Sequence, residues 1–360
     1  MFYNMFILLQ LYIVNCKFVI MKKLAMFIMA ISLHLSVYSQ KVIAEDFYVS
    51  AFNEISDMLA GKDSLSIKRA VYVSEWAFYE GNLDYMSFCK EIDRIVAFVK
   101  LFYDTNKLSA FKTGKQMALN EYFFRPYSGN GYKPYIYDFD SFFIDNESWE
   151  TQFVSKVLQT HKGQCRSLPW MYKILAAEIK ADVSLAYAPR HCYIMYKDED
   201  KMTPEEWINL ELTTQQIQPS FWIKQDFEIS DSSVIVGTYM TPLTDIQTVA
   251  SQMADLAFGY KEKFNRYDEF TFYCSSCSLE YFQMNPKAWI IRGKSLEQMI
   301  QDYLYLNGNV VDDYLAHLLY LLNDTMLRLK KTYMTYETEE MRERRNLQAK
   351  KWQYLQNKKE

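Results

Sequence analysis

The chain has 360 residues, 50% of them hydrophobic and 17% aromatic, with only 10 Gly and 8 Pro. This composition excludes disordered, collagen-like and low-complexity proteins, and the length suffices for two or three domains with a sizeable core. The formal net charge is −4, and the first 40 residues carry three Lys and no acid. The remainder is therefore mildly acidic, which gives no electrostatic reason to expect nucleic acid or an anionic lipid surface as a partner.

The amino terminus has the pattern of a targeting segment. MKKLAMFIMAISLHLSVYSQ, from Met21 to Gln40, combines a basic start, an apolar centre and a small-residue end, which is typical of a bacterial secretory signal peptide. We expect Met21 to be the true start, cleavage near Gln40 and a periplasmic or secreted protein that meets the membrane only through this segment. The alternative is a membrane anchor within residues 1–40, although three lysines divide its apolar run into pieces short of a full span.

Export leaves five cysteines: Cys89, Cys165, Cys192, Cys274 and Cys277. An odd number without regular spacing does not predict a disulfide framework and leaves at least one thiol free. The last two form a lone Cys-x-x-Cys without a matching Cys or His pair, and neither a Gly-rich phosphate loop nor a His-Glu-x-x-His motif is present. We therefore expect no metal and no cofactor.

In chain order, the first elements after the targeting segment are helical. Apolar residues recur at three- and four-residue spacing over residues 41–125, and residues 126–148 then predict an ordered loop across the next domain. The pattern predicts a helix over SWETQFVSKVLQTHKGQ that begins at Ser148 and stops at Gly163. A second helix, CRSLPWMYKILAAEIKA, contains a proline that is tolerated only near its first turn, so this helix begins close to Cys165.

The apolar period then changes from helical to alternating. The sequence predicts two strand pieces in DVSLAYAPRHCYIMYKD, interrupted at Pro189, and a third strand in EEWINLELTT after a hairpin connection. A helix followed by successive strands indicates an α+β fold rather than a βαβ unit. After Pro242 the pattern is helical again. The tail after Tyr333 predicts a charged helix, solvated or docked, because acidic residues interleave with its basic ones.

Cys165 is the first residue with a chemical role to consider. At the predicted helix start, unpaired backbone N–H groups and the positive end of the helix dipole favour a thiolate, and Arg166 adds a nearby positive charge. The thiol is therefore a candidate nucleophile, and its own N–H is a candidate donor to an oxyanion. The alternative is a small apolar residue that caps the helix.

His191, at the start of the second strand piece, is the candidate base. The alternative is a core histidine with its hydrogen bonds satisfied; His161, in the preceding helix, is a weaker candidate, and His317 is expected to be structural or exposed. On the third strand, Glu211 lies on the face opposite the apolar Ile-Leu-Leu side. If this strand pairs with that of His191, Glu211 accepts a hydrogen bond from the imidazole. The alternative is an exposed acid on a half-solvated strand.

These segments together resemble the transglutaminase-like superfamily, which comprises papain-like thiol enzymes with a Cys on a helix and a His and an Asp on a sheet. The match covers about residues 120–215. The matching residues are Gly163, Gln164, Cys165, His191, Trp207, Glu211 and Thr213.

The resemblance implies a helix packed on an antiparallel sheet and acyl transfer from an amide through a thioester on Cys165. His191 acts as base and then acid, and Glu211, where the family usually has Asp, orients it unless Asn209 takes that role. The implied activity is that of a cysteine hydrolase or protease on a peptide or protein substrate. The alternatives are a glutamine cross-linking or deamidating acyltransferase and a non-catalytic peptide-binding module. Possible supporting residues are Gln164, Trp207 and Asn209.

The carboxy-terminal helices resemble a tetratricopeptide unit through Gly259, Tyr260, Tyr267, the turn NPKAW and Gly293. They are interpreted either as a helical cap on the core or as a surface that presents a peptide or protein partner to the thiol. The predicted organisation is a signal region over 1–40, helices over 41–125, the transglutaminase-like core over 126–240, tetratricopeptide-like helices over 241–333 and a charged tail over 334–360.

Overall fold

The computed structural model describes residues 44–139, 148–307, 310, 312–336 and 338–358. The predicted signal region and part of the loop predicted over 126–148 lie outside these residues. The chain divides into a short unit that ends at Val49 and a second compact unit from Ser50 to Glu360. Among the described helices, none is both long and apolar enough to cross a membrane.

The fold is mixed α+β, 64% helical with a small four-stranded antiparallel sheet, as the sequence predicted at this coarse level. The helices are α1 (44–59), α2 (Ile67–Phe78), α3 (Tyr85–Thr105), α4 (Gly114–Phe124), α5 (Val154–Thr160), α6 (Ser167–Glu178), α7 (Ser220–Asp226), α8 (Asp231–Ile235), α9 (Asp245–Phe264), α10 (Glu269–Tyr281), α11 (Pro286–Asn307), α12 (Asp313–Lys330) and α13 (Glu339–Asn357). The strands are β1 (Ile136–Tyr137), β2 (Lys162–Gly163), β3 (Ser184–Ala188), β4 (His191–Lys197), β5 (Trp207–Glu211) and β6 (Gln216–Gln218).

The four-stranded sheet has the order β3-β4-β5-β6, with every neighbouring pair antiparallel. The predicted strands and the interruption at Pro189 are confirmed, while β6 was not predicted. Ala188 pairs with His191, so Pro189 and Arg190 form a two-residue hairpin turn in which Arg190 has a φ of 55°, in the left-handed region. This tight turn sets where His191 enters the sheet.

Both faces of the sheet are covered, so the alternative of a half-solvated strand is wrong. Helix α6 packs against β3 and β4. Tyr193 and Met195 of β4 pack with Ile223, Ile229 and Tyr239 from the segment that follows β6. The polar side of β5, opposite its apolar face, is therefore also buried.

The helix predicted over SWETQFVSKVLQTHKGQ is broken into three pieces. A 3₁₀ turn covers Trp149–Gln152, and α5 follows and ends at His161, whose φ of 59° is left-handed. The chain then continues into β2, which pairs in parallel with β1. The helix therefore stops at His161, and Gly163 lies in a strand instead of acting as the stop.

The start of α5 is capped from a distance. The backbone N–H groups of Val154 and Ser155 donate to the carboxylate of Glu75, at 2.6 and 3.0 Å, while the predicted cap Ser148 makes no side-chain capping bond. Glu75 is buried on α2, and burial raises its pKa although these hydrogen bonds oppose the shift. A partner 79 residues away in sequence cannot be read from a local capping pattern.

After β6 and the short helices α7 and α8, the chain is helical, as predicted from Pro242 onward. Thr244 and Gln247 form a reciprocal capping box that begins α9. Helices α9 to α12 each pack on the next in sequence, as successive hairpins do. The tetratricopeptide-like resemblance and the boundaries at 125, 240 and 333 remain predictions.

Gly163 is required by close packing. A Cβ built on this residue would lie 2.7 Å from a Val157 methyl carbon and 2.9 Å from both Leu168 Cγ and Ser167 Oγ. We expect Gly163→Ala to lower the free energy of unfolding by about 1–3 kcal/mol, the usual cost of overpacking. Urea unfolding measures the difference.

The matched control is Gly293→Ala in α11, where the nearest atom to a built Cβ is 3.9 Å away. This change should be neutral or stabilise by about 0.5–1 kcal/mol because Ala is the better helix former. Equal stability of the Gly163 and Gly293 variants would contradict the packing argument.

Candidate active site

Cys165 and His191 meet where the start of α6 approaches the start of β4. Cys165 lies two residues before α6, and its Sγ is 4.0 Å from the carbonyl oxygen of Arg190, the residue before His191. The thiol acts on the imidazole electrostatically and raises the pKa of His191. Cys165 is half-buried.

The imidazole is held from the other side by Glu211. His191 Nε2 lies 2.5 Å from Glu211 Oε2, which leaves Nδ1 for the thiol. The second carboxylate oxygen accepts the backbone N–H of Thr213 at 2.9 Å and its hydroxyl at 2.7 Å. The side chains of His191 and Glu211 are each only 11% exposed. The longer glutamate therefore spans the distance to the ring, and Thr213 fixes the carboxylate.

The electrostatics favour a charged imidazole. Burial by itself lowers the pKa of His191, but the charge of Glu211 and the hydrogen bonds with Cys165 and Glu211 raise it from 6.5 to about 10. Burial alone raises the pKa of Glu211, but the His191 charge and the Thr213 hydrogen bonds outweigh burial and hold it below its usual range. The carboxylate of Glu211 is therefore the group that holds the imidazole of His191 in its charged form.

Phe227 completes the surroundings of the imidazole. Its ring stacks on that of His191, with centroids 4.8 Å apart and planes at 20°. Phe227 follows α7 and is half-buried, so it closes one face of the imidazole. Sequence reasoning missed this residue because it lies 36 positions beyond His191 and no motif or apolar period marks it.

The three possible supporting residues are engaged elsewhere. Gln164 is buried and donates its side-chain N–H to the Asp138 carbonyl at 2.7 Å, which ties the turn before Cys165 to the end of β1. Asn209 donates to Ser220 Oγ at 2.9 Å and to a β6 carbonyl, so it anchors α7 and does not take the orienting role. Trp207 packs against the apolar cluster beneath β4.

Arg166 serves a purpose other than the predicted one. Its Nε lies 2.8 Å from Asp255 Oδ2, and Lys287 lies 2.5 Å from the other oxygen of that carboxylate. The guanidinium also donates to the Gln152 carbonyl and lies over the Trp149 ring. Its charge is therefore matched by Asp255, and Arg166 links the start of α6 to α9 instead of adding free positive charge to the thiol.

His161, His317 and Cys192 have structural or surface positions. His161 Nδ1 lies 2.7 Å from the Lys133 carbonyl, and its ring stacks on Tyr135. His317 is exposed on α12. Cys192 is buried, and burial raises the pKa of its thiol. The described residues contain no group of three or more His, Cys, Asp or Glu side chains suited to a metal ion.

Comparison with protein-family models, curated proteins and solved structures finds no match.

The raised pKa of His191 predicts a specific pH dependence of stability. A group whose pKa is higher in the folded state than in the unfolded state stabilises the folded protein. This contribution to the free energy of unfolding is complete at pH values below the unfolded pKa and is lost as the pH rises through the folded pKa. For His191 that window runs from 6.5 to about 10. We expect the difference in unfolding free energy between wild type and His191→Gln to be larger at pH 6 than at pH 10, as measured by urea unfolding.

The control for this experiment is His317→Gln, because that histidine is exposed. The difference in unfolding free energy between wild type and His317→Gln should be the same at pH 6 and at pH 10. A His191→Gln difference that is equally large at pH 6 and pH 10 would show that the imidazolium is not stabilised by its surroundings.

Proposed function

We propose that this chain is a cysteine-dependent amide hydrolase or acyltransferase with a transglutaminase-like, papain-like core. The single observation that carries the proposal is the position of His191, whose imidazole is bound by Glu211 and whose preceding residue, Arg190, has its carbonyl oxygen 4.0 Å from the Cys165 sulfur. A nucleophile, a base and a third group that orients the base are the parts that thiol acyl transfer requires. The helix start behind Cys165 adds backbone N–H donors.

The chemistry follows from these positions. Cys165 Sγ attacks the amide carbonyl carbon, the C–S bond forms and the π electron pair moves to oxygen, for which the Cys165 N–H is the proposed donor. His191 then gives its proton to the departing nitrogen, the C–N bond breaks and an acyl thioester remains. Neutral His191 next takes a proton from water or an amine, which attacks the thioester and returns the sulfur as thiolate.

Glu211 does not exchange a proton in this scheme. Its two oxygens are occupied by His191 and by Thr213, so it keeps the ring oriented and stabilises the imidazolium. The Glu-for-Asp difference from the family pattern is therefore compatible with turnover. The substrate is proposed to be a peptide or protein amide, as the resemblance to transglutaminase-like enzymes implies.

The nucleophile can be tested without knowing the substrate. Under limiting iodoacetamide, Cys165 should be alkylated at least about tenfold faster than Cys89, which is also half-buried but lies on α3. His191→Ala should remove most of that advantage because the thiolate loses its cation. Mass spectrometry of the digested protein gives the rate at each cysteine.

The same variants separate the proposal from its alternative. If Cys165 reacts no faster than Cys89 and His191→Ala changes nothing, the site is not a thiol enzyme, and a non-catalytic binding module on this fold is the better reading. A peptide- and amide-library screen of wild type against Cys165→Ala then identifies the substrate and distinguishes water from an amine as the acceptor.

A further inference from the structure

The carboxy-terminal helix α13 is anchored on the wall of the site that carries His191. Arg344 of α13 lies 2.5 Å from the carboxylate of Glu228. Burial raises the pKa of Asp226, and the charge of Arg344 acts in the opposite direction and lowers it. Asp226 and Glu228 flank Phe227, whose ring stacks on the His191 imidazole. One cation of α13 is thus paired with Glu228, directly after the residue that covers the imidazole, and acts electrostatically on Asp226, directly before it.

The other end of α13 reaches the wall that carries Cys165. Gln356 Nε2 lies 3.2 Å from the carbonyl oxygen of Tyr137. Tyr137 pairs with Gly163 between β1 and β2, and Gly163 lies two residues before Cys165. Arg344 and Gln356 are twelve residues apart, or about 18 Å along a helix. One anchor of α13 therefore holds the segment next to Phe227, which stacks on His191, and the other holds the strand pair that leads to Cys165.

The docked face of α13 is a single narrow stripe. Met341 and Ala349 are buried and Arg345, Trp352 and Gln356 are half-buried, at the three- and four-residue spacing of one helix face. The Arg344–Glu228 pair is exposed, at 42% and 47% of its side chains, and pairs of this kind stabilise by about 0–1 kcal/mol. This helix is held in a defined place by weak contacts, so it can leave while the core stays folded.

We propose that α13 is an intramolecular strap across the approach to Cys165, which restricts access to the thiol and is displaced when the site is used. This inference rests on the proposed function, since it describes how access to the same thiol is regulated. The proposal also assigns a role to the highly charged tail. A polar helix that buries only one narrow apolar stripe needs little free energy to detach from the surface. Displacement opens the route to Cys165 from both walls.

The test measures the rate of Cys165 alkylation by iodoacetamide in the full chain. Arg344→Glu places two acids against each other and should speed alkylation about threefold to tenfold. The charge-swapped double variant Arg344→Glu with Glu228→Arg should return the rate toward that of wild type. Lys350→Glu, which makes the same charge change at an exposed position of α13, is the matched control and should leave the rate unchanged.

A truncation after Tyr336 removes α13 and retains the Thr335 contact to the Glu228 carbonyl. It should give at least the acceleration of Arg344→Glu, with urea unfolding used to verify that the core remains folded. An unchanged alkylation rate in both variants, with the His191→Ala effect preserved, would overturn the strap and leave the proposed function standing. Loss of the His191→Ala effect in the truncated chain would instead overturn the proposed function.

Discussion

The arrangement of the site depends on a buried charge pair between two adjacent strands. A carboxylate that is 11% exposed needs compensation, and Glu211 receives it from His191 and from the two donors of Thr213. The pairing of β4 with β5 sets this geometry, because a slip of one residue would send Glu211 to the opposite face. The imidazole is thus fixed by the sheet, and the thiol is brought to it by the start of α6.

The start of α6 is itself held by a second buried charge. Arg166, next to Cys165, is bound by Asp255 of α9, and Lys287 of α11 shares that carboxylate. Removing one partner of such a buried pair typically costs about 3–5 kcal/mol, because the other charge is left without compensation. The carboxy-terminal helices therefore help to position Cys165, the proposed nucleophile, through its neighbour Arg166.

Local patterns in the sequence were sufficient for the elements that carry the site. The change of apolar period predicted β3, β4 and β5, the proline in the helix that follows Cys165 indicated its start, and Pro189 marked the hairpin turn before His191. The contact between Glu211 and His191 was also predictable, because alternation along β5 gave the face of Glu211.

The contacts that were missed are those between residues far apart in sequence. Glu75 capping α5, Phe227 stacking on His191 and Asp255 neutralising Arg166 all depend on how elements pack, and no spacing rule encodes them. The predicted long helix before Cys165 failed for the same reason. Pairing of β1 with β2 competed with helix propensity and ended α5 at His161.

The most direct test of the coupled Cys165–His191–Glu211 arrangement is the titration of the His191 imidazole by NMR. The chain has only four histidines, so the resonance can be assigned with single substitutions. The structure predicts a pKa for His191 well above 6.5, and a lower value in both Cys165→Ala and Glu211→Gln. An ordinary pKa near 6.5 that neither substitution moves would show that the three groups do not act together.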